Sequence, residues 1–320
     1  MKTRSLNLGN RKVAIIGVGF VGASIAYALT IRNLAREIVL IDIDHKKAEG
    51  EALDIQHGIP YMGISAVYAG DYSDTRDCDL IIITAGRNRR PGETRIDMVQ
   101  DNSRIIKNVA ESIKPFYTHG VILIVSNPVD ILAFLCDAWM GLPRGRVFGT
   151  GCILDSSRFV SSVAEYVGLS TEVIKGTIVG EHGDSQIPIW SRLSIAGMPM
   201  EEYCDTLGLT WGDIEKTNIA NKVKNMGATI IANKGKTHYG IATCVCLIAD
   251  AVLNQRLTIA SVSSPLDGEY GITGVAMSLP SIIGVNGVER QIEEKWNDKE
   301  NQRFKDSAEK LKRALKGVEL

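Results

Sequence analysis

A histidine flanked by glycines and acids, Gly180-Glu181-His182-Gly183-Asp184-Ser185, lies far downstream of Gly17-Val18-Gly19-Phe20-Val21-Gly22. An imidazole titrates near neutrality, so it can give a proton in one direction of a reaction and take it back in the other. The glycine spacing is that of a turn that lets backbone approach a pyrophosphate. Between the two segments stand Arg95, Asp155 and Arg158. Hydride addition to a small 2-keto acid has three needs: a proton for the carbonyl oxygen, positive charge to polarise it, and a grip on the carboxylate. His182 is the natural proton donor, and Asp155 the anion that would hold its imidazolium form and fix the ring. A lone histidine is more often structural. Here the glycine-rich setting, with little to pack against, favours chemistry.

Arg158 follows Asp155 by three residues in Leu154-Asp155-Ser156-Ser157-Arg158. On a helix that spacing puts both on one face, so they either reach a common pocket or pair on the surface. A guanidinium can hold a carboxylate through two parallel hydrogen bonds, which lysine cannot do. The loop Gly86–Asp97 (GRNRRPGETRID) carries a Pro91-Gly92 turn and dense charge, suited to a lid over an anionic substrate. Arg95 would then reach the carbonyl in the closed state and stabilise developing negative charge. Asn127, in Ser126-Asn127-Pro128-Val129-Asp130, could bond a nicotinamide ribose or the substrate, or serve as a turn residue.

The glycine turn needs a strand before it, a helix after it, and an acid ending the next strand. All three are readable. Lys12–Ile16 is a short β-branched run, a helix follows over Ser24–Thr30, and Glu37–Ile41 ends in Asp42, 20 residues after Gly22. Gly17 permits the tight turn, Gly19 admits a phosphate, Gly22 lets helix and sheet approach, and Phe20 and Val21 within the motif are candidate cofactor contacts. Asp42 would accept hydrogen bonds from ribose hydroxyls and repel a 2′-phosphate, favouring NAD over NADP. Read otherwise, the turn is a glycine-rich core bend with no ligand.

The elements that must carry these residues follow from periodicity. Leu80–Thr84 and Val121–Val125 are continuous apolar runs, as in parallel strands covered on both faces. They alternate with helical patterns such as His45–His57, which implies a Rossmann-type, doubly wound α/β parallel sheet. After about Gly149 the texture changes to longer helices, Ser156–Val167 and Asp213–Lys234, separated by polar turns. An α+β substrate and catalytic domain over residues 150–320 is expected to follow a dinucleotide domain over 1–149. Phe304, Ala308, Leu311 and Leu315 mark a one-sided helix packed on the body.

Bulk properties narrow the class. A formal net charge of −1 in 320 residues gives no reason to expect a nucleic-acid partner. Six scattered cysteines without a C-x-x-C pair fit reduced thiols in the cytoplasm, and five histidines without metal-ligand spacing argue against a metal. Val13–Ile31 is an uncharged run after Lys2, Arg4, Arg11 and Lys12, and its Ala26-Tyr27-Ala28 resembles a signal-peptidase site. Against a signal or membrane anchor, the run carries the three motif glycines, and cleavage there would discard the turn while leaving Asp42 behind.

Taken together, GVGFVG, the LID ending at Asp42, PGETR ending at Arg95, SNPVD, LDSSR and GEHGDS closely resemble the L-lactate/malate dehydrogenase family, the lactate branch most, over nearly the whole chain. The resemblance implies pyruvate reduction to L-lactate with NADH, and a cytoplasmic homotetramer. In it His182 is the proton donor and acceptor, Asp155 its partner, Arg158 the carboxylate ligand and Arg95 the lid arginine. Two positions depart from the lactate pattern. Arg89 stands where lactate enzymes usually have glutamine and malate enzymes an arginine for a second carboxylate, which makes oxaloacetate reduction the alternative. Glu93 on the same loop could neutralise Arg89 or Arg90, and Thr237 matches the lactate pattern. Val160 and Lys175 occupy the positions through which many bacterial lactate enzymes bind fructose 1,6-bisphosphate, so little activation is expected. A catalytically silent NAD-binding protein is the reading from another class, disfavoured because every expected charged group is present.

Overall fold

The computed structural model describes residues 11–63, 65–87 and 95–318, with residues 95–97 as backbone only. Arg89, Arg90 and Glu93 lie outside the described residues. The chain begins with β1 (Lys12–Ile16), α1 (Phe20–Ile31), β2 (Glu37–Ile41), α2 (His45–Met62) and β3 (Ala66–Ala69). It continues through β4 (Leu80–Ile83), α3 (Arg95–Ile113), β5 (Val121–Ile124), α4 (Val129–Met140) and β6 (Val147–Gly149). After α5 (Ile153–Val167) come short strands β7 (Ile174–Lys175), β8 (Ile178–Val179), β9 (Ile187–Pro188), β10 (Ser194–Ile195) and β11 (Met198–Pro199). Helices α6 (Met200–Leu207), α7 (Asp213–Lys234) and α8 (Tyr239–Leu253) precede the antiparallel β12 (Thr258–Asp267), β13 (Thr273–Gly284) and β14 (Gly287–Gln291). Last among the described elements is α9 (Asp298–Lys316).

The first six strands are parallel in the order β3-β2-β1-β4-β5-β6. This is the doubly wound order, with its reversal between β1 and β4, where such sheets open a ligand crevice beyond the strand ends. β4 (LIII) and β5 (VILI) are buried throughout, because helices cover both sheet faces and leave polar side chains no solvent. β12–β14 continue the same sheet antiparallel, joined to β6 through one register pair, Gly149 with Ser263. The later part mixes helices with antiparallel strands, the α+β texture expected of it.

Several helices reach further than periodicity suggested. α1 starts at Phe20, directly after Gly19, because the turn glycines let the helix begin inside the motif. α2 starts after Asp44, whose side chain accepts the Lys47 N–H, and runs on to Met62. α5 starts at Ile153, which brings Asp155 into its first turn, where the helix dipole favours a carboxylate. The uncharged run Val13–Ile31 is strand, turn and helix, with Val13, Ala14, Ile15 and Ile25 fully buried in the core. No described helix is long and apolar enough to cross a membrane. On α9, Phe304, Ala308 and Leu311 are buried, and Leu315 packs beside them.

Candidate active site

The glycine turn is tied down from below. The Gly17 N–H donates to the Ile41 carbonyl at 2.8 Å, and the Asp42 carboxylate accepts the N–H groups of Val18 (2.6 Å) and Asp44 (3.0 Å). Gly17 has φ +92°, a backbone that side-chain-bearing residues rarely adopt, and a Cβ at Gly22 would overlap the Gly17 carbonyl. Gly19 differs. A Cβ there would meet nothing within 4 Å, so the protein itself does not demand glycine, and the space beside it is open to a ligand.

Two cavities flank this turn. One, of about 470 Å³, is lined by Gly17, Gly19, Asp42, Lys47, Tyr72 and Thr84. The other, of about 520 Å³, is lined by Val21, Asn127, Asp155, Arg158, His182 and Thr237, among others. Gly17 and Gly19 border the first and Val21 the second, so a single extended ligand could run from Asp42 across the α1 N-terminus to His182. That shape and donor set fit a dinucleotide. Phe20, 61% exposed, stands between them with Lys236 Nζ 5.8 Å from its ring centroid.

In the larger cavity His182 Nδ1 lies 2.6 Å from Asp155 Oδ2, and Asp155 Oδ1 accepts from the Arg158 guanidinium at 3.2 Å. The Asp155 side chain is only 3% exposed and that of Arg158 12%, so the pair is no surface ornament. Burial opposes ionisation of Asp155, but His182 and Arg158 outweigh it and hold its carboxyl below its ordinary range. Burial likewise opposes the imidazolium of His182. The Asp155 charge and hydrogen bond, with help from Asp130, outweigh it and raise its pKa above the ordinary value, with Arg158 pulling the other way. A histidine so held favours its protonated form more than a free imidazole does, and has Nε2 left for a substrate oxygen.

The turn that carries His182 is not the loosely packed segment its composition suggested. Glu181 is buried at 5% exposure. The Gly180 N–H and carbonyl pair with Ser278 of β13, both at 3.0 Å. Its neighbour Glu181 donates its N–H to Ser307 of α9 at 3.1 Å, and the His182 N–H donates to Asp130 of α4 at 2.8 Å. Positive φ at Gly180 (+90°) and Gly183 (+152°) lets the chain bend between these three anchors. Long-range partners, invisible to local pattern, make the turn rigid.

Sequence reasoning also missed Asn102, 1% exposed on α3. Its side chain accepts the Arg87 N–H (2.9 Å), and donates to the Arg87 carbonyl (3.1 Å) and the Asn127 carbonyl (2.7 Å). It therefore joins the loops after β4 and β5. Lys224 of α7 pairs with Asp184 at 3.2 Å on the cavity wall. Asn127 and Thr237 line the cavity as expected from position. The Arg95 backbone opens α3, while Arg89 falls outside the described residues. Among the described residues no cluster could hold a metal ion.

A doubly wound sheet with a dinucleotide-shaped cleft leading to a histidine–aspartate–arginine cavity defines the class of nicotinamide-linked dehydrogenases. Residues 11–149 match the model for the NAD-binding domain of lactate/malate dehydrogenase, and residues 152–319 that for its alpha/beta C-terminal domain. The chain belongs to the lactate/malate dehydrogenase family. It is 41% identical over 310 residues to an L-lactate dehydrogenase of Acetivibrio thermocellus, covering 97% of this chain and 98% of that one. It is 43% identical over 309 residues to one of a Thermoanaerobacter species, covering 97% and 99%. A solved minor L-lactate dehydrogenase of Enterococcus mundtii, in a ligand-bound form, superposes with TM-score 0.94 at 39% identity, again covering 97% and 99%.

Proposed function

We propose that the chain is an NAD-dependent L-lactate dehydrogenase that interconverts pyruvate and L-lactate. The observation that carries the reading is one cavity holding the His182–Asp155 pair and Arg158 at the end of a cleft that starts at Asp42. When bound, the reduced nicotinamide supplies a hydride to the keto carbon. His182 Nε2 gives its proton to the carbonyl oxygen, while Asp155 at Nδ1 fixes the ring and steadies its charge. Arg158 leaves its 3.2 Å contact with Asp155 enough to grip the substrate carboxylate at two points. Arg95 polarises the carbonyl, and Asn127 orients the nicotinamide ribose or the substrate. Gly17, Gly19, Gly22, Phe20 and Val21 receive the pyrophosphate, and Asp42 the ribose hydroxyls. Thr237 bounds the space beside the substrate methyl.

The reading extends to the whole protein. We divide it into a cofactor domain over 1–149 and a substrate domain over 150–320, and assign it to a cytoplasmic homotetramer serving the fermentative end of glycolysis. Half-exposed Tyr27 and Ile31 on α1, Leu53 on α2 and Leu247 on α8 support association, since isolated monomers rarely leave such side chains in water. All six cysteines are free thiols, as in a reducing compartment. NADH oxidation with pyruvate and with oxaloacetate tests the substrate. Pyruvate should give the higher kcat/KM, and Arg89→Gln should lower residual oxaloacetate activity while sparing pyruvate turnover. A higher kcat/KM for oxaloacetate would overturn the lactate assignment in favour of Arg89 as a second carboxylate ligand.

A further inference from the structure

Asp130 is a buried ionisable group that the proton transfer above leaves without a role. It sits in the first turn of α4 at 2% exposure. Its Oδ2 accepts the backbone N–H of His182 at 2.8 Å. Its Oδ1 is buried beside the Ser263 hydroxyl of β12, which has no other partner among the described residues. Any neutral acceptor would satisfy the His182 N–H. A carboxylate at such depth is costly even so, unless its charge serves something. The positive end of α4 offsets part of the cost.

We propose that Asp130 is a second anionic partner of His182, a positioning residue that holds the histidine turn through its backbone and favours the protonated ring through its charge. The inference rests on His182 being the proton donor and acceptor. Asp155 then acts through the ring, Asp130 through the main chain and across space.

The surroundings of Asp130 are consistent with this. Glu181 and His182 face it from the turn between β8 and β9, Cys152 from the start of α5, and the Ser263 hydroxyl from β12. β5, β6 and β13 also pack on α4 and carry no ionisable side chain. Lys107 of α3 lies over the Trp139 ring and Lys114, just after α3, donates to the Trp139 carbonyl, both near the other end of α4, and Glu300 of α9 bonds Ser191. Burial pushes the Asp130 carboxyl up to about 6, with the Ser263 hydrogen bond and the His182 charge pulling the other way. Asp130 is therefore neutral in acid, where His182 holds its proton regardless. It becomes an anion as pH rises, where the histidine would otherwise lose that proton.

The test is Asp130→Asn, nearly isosteric and still able to accept the His182 N–H. The pH profile of kcat/KM for pyruvate reduction and the His182 ring titration by NMR in the NADH complex are the readouts. The pKa should fall by about one unit, a tenfold change in the imidazolium-to-imidazole ratio. Turnover well below that pKa should stay close to wild type. A folded variant that binds NADH with an unmoved His182 pKa overturns the proposal, as does uniform loss of activity at every pH. If the variant does not fold, carboxyl-carbon NMR of the wild type decides. The Asp130 and His182 titrations should each show an inflection at the other's pKa, and mutually independent curves overturn the idea. Failure of the underlying reading looks different: His182→Asn would retain turnover, whatever Asp130 does.

Discussion

At the scale of single residues, the site ties the histidine ring to the Asp155 carboxylate. His182→Asn should leave NADH binding nearly intact and cut pyruvate turnover by about 10² to 10⁴-fold, the usual contribution of a general acid. Stopped-flow turnover with fluorescence titration of NADH checks both halves, and near-wild-type turnover would remove His182 from the mechanism. The pairing also sets pH dependence. His182 is raised above its ordinary 6.5, so its contribution to stability is complete below that pH and fades as pH climbs through the raised value. Asp155 is lowered from its ordinary 3.8, so its contribution is present above that pH and fades as pH falls through the lowered value. The Tm advantage of wild type over Asp155→Asn should therefore be greatest between those limits and shrink on both sides. At the far end of the cleft, Asp42 already bonds two backbone N–H groups and cannot turn away from a 2′-phosphate. NADH should bind more tightly than NADPH, and equal affinities would defeat that assignment.

At the scale of elements, α5 carries two assignments on one face and one on another. Asp155 and Arg158 line the cavity, one of the two alternatives that the three-residue spacing left open. Val160 lines an open depression of about 340 Å³ with Ser156, Ser157, Ser161, Thr171 and Gly176, and Lys175 is exposed nearby on β7. A phosphate there would lose water against the Val160 methyls without gaining a cation from that position. Fructose 1,6-bisphosphate at low millimolar concentration should leave the apparent KM for pyruvate unchanged, and a several-fold drop would mean other residues rebuild the site. What could be read in the sequence divides along the same line. The strands β4 and β5, the helix α7 and the cavity face of α5 are local patterns, and they were legible with nearly their true bounds. The anchoring of the histidine turn by Asp130, Ser278 and Ser307 was not, because each partner is remote in sequence and each bond uses main chain. Asn102 escaped notice for the same reason, looking like any polar residue of a surface helix while bridging two loops.

At the scale of the whole molecule, the homotetramer proposed above predicts that sedimentation will find an assembly of about four chains at micromolar concentration, with the half-exposed apolar side chains of α1, α2 and α8 at its contacts. Charged substitutions at Ile31 or Leu53 should shift it toward smaller species, because unpaired charge in a buried interface is costly. The long sheet has a different consequence. β6 ends its parallel half with three residues, Val147–Gly149, and its outer edge meets β12 through the Gly149–Ser263 pair. The cofactor half is thus finished by a strand laid down more than a hundred residues later. Made alone, it would carry a raw apolar edge that invites another copy to complete it. This half is a poor candidate for shuffling between proteins. A recombination event that moved it to a new catalytic partner would have to bring a replacement for β12 as well, so the two halves are bound to travel through evolution together.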